Sequence, residues 1–148
     1  MRTLRHRRRA LASALVVLAA SAAAQAQDRP ARTPSPPGAR VYFISPAPGE
    51  TVTSPVTVRF GLSGMGVAPA GVQAANTGHH HLLIDAPLPP PGQPIPADRQ
   101  HVHYGADLTE TKIELPPGTH TLQLLLGDDR HVPHDPPIVS DQITITVQ

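Results

Sequence analysis

The chain has 148 residues, no cysteine and a formal charge of +1, from 12 basic against 11 acidic residues. Disulfides and lipidation at a signal-peptide cysteine are excluded, so burial alone, or burial with a ligand such as a metal, must hold the fold. Five of the basic residues lie in the first ten positions, and without residues 1–26 the balance is 7 basic to 11 acidic, a charge of −4 that argues against a nucleic-acid partner.

In chain order, MRTLRHRRRA, the apolar run LASALVVLAASAAA and the A-x-A pattern in AQA predict a secretory signal peptide over residues 1–26. The apolar run is too short and alanine-rich for a spanning helix, which needs about 20 strongly apolar residues. The expected address is therefore periplasmic or secreted, with no membrane span in the mature form, and RRRAL does not choose between Sec and Tat export. Residues 27–39, dense in proline and small polar residues, read as a flexible leader. Residues 40–148 suit a single domain with its own core.

Within that domain, short runs rich in Val, Ile, Thr and Leu alternate with Pro and Gly, which is strand-and-turn punctuation. Strands are predicted at Val41–Ser45, Thr51–Thr53, Pro55–Leu62, His80–Asp85, Gln100–Tyr104, Leu108–Leu115, Thr119–Leu126 and Ile138–Val147. Such a series of seven to eight short strands predicts an all-β fold, an immunoglobulin-like antiparallel β-sandwich, with a small barrel as the competing architecture. The PPG at Pro116–Gly118 predicts a hairpin between LTETKIEL and THTLQLLL. Ser63–Gly78 and Ala86–Arg99 are long loops flanking the run GHHHLLID, and loops longer than about 12 residues in a compact domain are usually functional or disordered.

The histidines carry the functional argument. Strand alternation puts His80 with Leu82 and Ile84, and places His79 and His81 on the opposite face with Leu83. In QHVHY, His101 and His103 point the same way, about 6.5 Å apart along the strand. The proline-braced loop GDDRHVPHDPP adds His131 and His134 beside Asp128, Asp129 and Asp135. If the three segments meet, His79, His80, His81, His101, His103, His131 and His134 form a candidate metal site. Its carboxylates would fix ring orientation, and binding would fade as pH falls through about 6.5. Imidazole donors suit Zn²⁺, Cu²⁺ or Ni²⁺, and one loop methionine, Met65, offers little for soft Cu⁺. The competing reading is a hydrogen-bonded histidine cluster that pins the loops. For His120, in line with Leu122, Leu124 and Leu126, a core or edge position is the better reading.

The motifs GHHHLLID, PADRQHVHYG, TETKIELPPGTHTLQLLLGD and HVPHDPPIVSDQITITV together resemble the domain of unknown function 4399 family of small exported bacterial proteins, over Arg40 to Gln148. The resemblance implies a periplasmic address and supplies no reaction. GLSGMG has the wrong spacing for a nucleophile elbow, and no nucleophile and base can be paired, so an enzyme is not expected. Two functions stay open. One is an exported periplasmic binding module holding a divalent transition metal (Zn or Cu) or a small anionic ligand. The other is a non-catalytic structural or protein-interaction domain of the cell envelope.

Overall fold

The computed structural model describes residues 31–105 and 108–148. Residues 1–26, read as a signal peptide, lie outside the described part. Nine strands form: β1 (Arg40–Ser45), β2 (Thr51–Val52), β3 (Val56–Ser63), β4 (Gly66–Val67), β5 (Thr77–Ile84), β6 (His101–Tyr104), β7 (Glu110–Ile113), β8 (Gly118–Gly127) and β9 (Ile143–Val147). There is no helix among the described residues. One sheet runs β1-β3-β7, and the other runs β2-β9-β8-β5-β4 with β6 also on β5. The expected all-β sandwich is present.

Alternation explains why these segments pair as they do. On β9, Ile143, Ile145 and Val147 are buried while Thr144 and Thr146 are exposed, the signature of a strand with one face on the core. Leu122, Leu124 and Leu126 of β8 meet Leu82 and Ile84 of β5 and Val58 and Phe60 of β3 in the principal core between the sheets. A second cluster lies on the other face of the larger sheet, where Leu83 and Leu125 are covered by Ala86 and Ile95 from the loop after β5.

Four expectations change. The PPG is not a hairpin: β7 pairs with β3, whereas β8 pairs with β5 and β9, so Pro116–Gly118 carries the chain from one sheet to the other. Ile113 and Leu115 face the core from one side and Leu122 from the other, and two prolines without N–H donors fit a segment that leaves the ladder. The strand expected at Ile138–Val147 is split. Val139 makes a bridge to Leu125, and Ser140 Oγ accepts the Leu124 N–H at 2.9 Å before β9 begins. A short parallel strand, β4, forms inside the loop at Ser63–Gly78. Lastly, the described part of the expected leader is tied down. Pro34 bridges Asp135 in parallel, Ser35 N–H donates to Asp135 O at 3.0 Å, and Arg32 pairs with the Asp135 carboxylate at 3.1 Å.

Candidate metal centre

The centre grows from β5. Thr77–Ile84 is hydrogen-bonded on both edges, to β8 and to β6, so its alternation is fixed in register. That register sends His80 inward, where its ring lies 4.6 Å from that of Phe60. His79 and His81 point to the opposite face, together with Leu83. His81 is opposite His103 on β6, and His79 is opposite Gly127 at the end of β8. Just beyond Gly127 the chain turns sharply, and His131, at φ 64°, returns its ring over the same face.

His79, His81, His103 and His131 therefore converge, with one candidate ligand atom from each lying within 4.8 Å of the others. Their ring centroids are 4.6 to 5.8 Å apart. A tetrahedral zinc ion, about 2.0–2.1 Å from each nitrogen, holds its ligand atoms about 3.4 Å apart. The exposed His103 and the loop-borne His131 are the two able to close that difference, because His79 and His81 are fully buried in a paired strand.

Glycine makes the space. A Cβ at Gly127 would stand 2.7 Å from His81 Cε1, and a Cβ at Gly105 would collide with the His103 ring. Neither glycine has a positive φ, so their role here is close approach rather than backbone freedom. Both long loops reach the centre as well. From the first, Ala70 N–H donates to Gly105 O at 3.1 Å and Gly71 N–H to Asp129 O at 3.0 Å. From the second, Ile95 N–H donates to His131 O at 2.8 Å.

Burial and the neighbouring imidazoles lower the pKa of His79 to about 4 and of His81 to about 2, and the same two causes lower His103. Neutral rings are the ligating form, so His79 and His81 are ready for a cation without shedding protons. Their hydrogen bonding is incomplete. His79 Nε2 lies 3.0 Å from His131 Nδ1, but His79 Nδ1 and His81 Nδ1 are buried without a partner among the described residues.

Three of the seven expected histidines are placed elsewhere. His80 faces the core, on the wrong side of β5. His101 shares a face with His103 but sits two pairs further along the register, opposite Leu83, and its Nδ1 lies 2.9 Å from Asp98 Oδ1. His134 is fully buried with Nε2 3.2 Å from Thr77 O. The H-x-H pair that converges is thus His79 and His81, not His101 and His103. The acids also divide. Asp128 accepts from the backbone N–H of Arg130 and Val132, both at 2.9 Å, and shapes the turn that carries His131. Asp135 pairs with Arg32. His120 takes its expected edge position, with Nδ1 2.7 Å from Asp85 Oδ2.

The sequence profile of a family described as Domain of unknown function (DUF4399) matches residues 58–148. The chain belongs to this family. The match holds all four converging histidines and begins inside β3, so β1, β2 and Arg32–Ser35 precede it. No curated protein and no solved structure matches the chain. Membership in DUF4399 therefore brings no reaction, and the functional reading rests on the centre itself.

Proposed function

We propose that this DUF4399 protein is an exported, periplasmic binding module that holds one divalent transition-metal ion, Zn²⁺ or Cu²⁺, at His79, His81, His103 and His131. The observation that carries this reading is the convergence of four imidazoles that hydrogen-bond one another so poorly. A cluster built only to pin loops would satisfy its buried nitrogens, since nearly all buried polar groups in folded proteins are paired. Here the four rings make one mutual hydrogen bond among the described residues, and His79 Nδ1 and His81 Nδ1 are buried without a partner there, so each of these two rings still has a nitrogen that the cluster's own hydrogen bonds do not use.

The donor set selects among ions. Four imidazoles without thiolate suit Zn²⁺, Cu²⁺ or Ni²⁺. Met65, the one methionine beyond the N-terminal segment, packs against the principal core rather than beside the histidines, which disfavours Cu⁺. Four protein ligands also fill a tetrahedral ion, and closed sites of this kind store or stabilise, whereas catalytic zinc keeps an open position. Binding without catalysis is the corresponding role.

The test is the melting temperature of chelator-treated protein titrated with Zn²⁺, Cu²⁺ and Ni²⁺. A ligand at 100 times its dissociation constant adds about 2.7 kcal/mol, worth several degrees in a domain of this size. The rise should be saturable for at least one ion, absent in His81→Asn and His103→Asn, and retained in His101→Asn. A flat response of the unaltered protein to all three ions would return the cluster to the structural, protein-interaction reading.

A further inference from the structure

Among the ligands, His131 alone comes from a loop rather than a strand, and its position depends on a turn that residues far away in sequence hold shut. His131 N–H donates to Asp128 O and Asp128 N–H to Val132 O, each at 2.9 Å. The Asp128 carboxylate, 1% exposed, closes the same turn by accepting two further backbone N–H groups through Oδ1. Its other oxygen, Oδ2, accepts from Thr33 Oγ1 at 2.7 Å and from the Arg130 guanidinium at 3.1 Å. Thr33 is 95 residues from Asp128 in sequence.

The contacts on either side of Thr33 make it part of a strap. Arg32 Nε donates to Pro133 O at 3.1 Å, and the Arg32 guanidinium also reaches His134 O. Asp135 N–H donates to Thr33 O at 2.9 Å, and Ser35 Oγ to Pro136 O at 2.9 Å. Residues 32–35 thus run beside residues 133–136 as an added parallel segment, while the Thr33 side chain reaches the turn of 128–132.

We infer that Arg32–Ser35 is a positioning strap for the metal centre, with Thr33 as the positioning residue that sets His131 through Asp128. The inference rests on the metal reading proposed above. The strap lies outside the two sheets: the strands span residues 40–147, and the strap pairs with the 133–136 segment through the Pro34–Asp135 bridge. His131 sits at positive φ, a conformation that is unfavourable for a non-glycine residue and persists only where its surroundings enforce it. Thr33 and Asp128 provide that enforcement from outside the ligand set. Groups that orient metal ligands from behind typically change affinity by about 10- to 100-fold. Thr33 acts one step further back, so the lower end of that range applies.

The experiment compares Cu²⁺ binding to the unaltered protein, Thr33→Val and Thr33→Ser, by competition titration and by the electron paramagnetic resonance spectrum of the bound ion. The valine variant should bind Cu²⁺ about tenfold more weakly, with an altered spectrum reporting a displaced imidazole, and the serine variant should restore both. A role confined to stability would lower the melting temperature in chelator and leave the spectrum unchanged. Unchanged affinity and spectrum in the valine variant, with Cu²⁺ bound by the unaltered protein, would overturn the strap alone. Should the unaltered protein take up no Cu²⁺, Zn²⁺ affinity of the same three proteins by competition titration decides the strap by the same tenfold loss and recovery; uptake of neither ion overturns the metal reading and the strap with it. If the valine variant does not fold, Arg32→Gln takes its place with the same two outcomes, because it cuts the contacts to Pro133, His134 and Asp135.

Discussion

At the scale of single residues, the two glycines beside the centre separate metal binding from folding. His103 is exposed, so an added methyl at residue 105 can push its ring aside at little cost to the fold, but the displaced ring then leaves the group of four. Gly105→Ala should therefore keep its chelated stability within about 0.5 kcal/mol, the usual range for surface changes, while losing most of its metal-induced rise in melting temperature. Gly127 differs, because His81 is 1% exposed and has nowhere to go when a Cβ arrives 2.7 Å from Cε1. Overpacking of this kind costs about 1–3 kcal/mol, so Gly127→Ala should lower the melting temperature in chelator as well as abolish the metal response. Paired melting curves with and without Zn²⁺ check both. A full metal response in Gly105→Ala would show that His103 is not a ligand.

On the scale of elements, β5 decides which histidine does what. His80 is fully buried against Phe60 with both ring nitrogens unpartnered among the described residues, and burial lowers its pKa to about 4. Replacing such a group with an apolar one of similar size is often neutral or stabilising. His80→Leu should thus match or exceed the stability of the unaltered protein at neutral pH and keep the whole metal response. Loss of that response would place His80 among the ligands after all. This division of the triple histidine was legible in the sequence, because a strand's alternation is fixed by geometry and Leu82 and Ile84 mark the core face. The pairing across strands was not. Nothing local in QHVHY says whether His101 or His103 will stand opposite His81; the β5–β6 register does, and it is a long-range property. The strap was invisible for a similar reason. Its proline-rich composition reads as mobile, and its order comes from backbone partners about 100 residues away, at Pro133–Pro136.

For the whole molecule, the buried histidines make stability depend on pH in a definite direction. In the unfolded chain His79, His80 and His81 titrate near 6.5, whereas in the fold they are lowered to about 4, about 4 and about 2. Between these limits the unfolded state holds protons that the folded state does not, so stability rises with pH and is lost as pH falls below 6.5. A shift from 6.5 to about 4, as for His80, corresponds to about 3 kcal/mol for that one group, and His79 and His81 act in the same direction. The His120–Asp85 pair acts with different signs. His120 is raised by its hydrogen bond to Asp85, so its contribution is complete below 6.5 and is lost only as pH rises through its raised pKa. Asp85 is lowered through its bonds to His120 and Thr121, so its contribution holds above 3.8 and fades as acid protonates it. Neither compensates for the loss between 6.5 and 4. Urea titrations at stepped pH should accordingly show metal-free protein losing stability steeply below about pH 6, with a shallower slope in His80→Leu. Zn²⁺ should displace the curve toward acid: the fading of binding through about 6.5 expected from free imidazoles is moved to lower pH at His79 and His81, which stay neutral in the fold well below 6.5 and give the ion few protons to displace. Equal acid sensitivity in His80→Leu and the unaltered chain would mean that the buried imidazole of His80 is not a source of the loss.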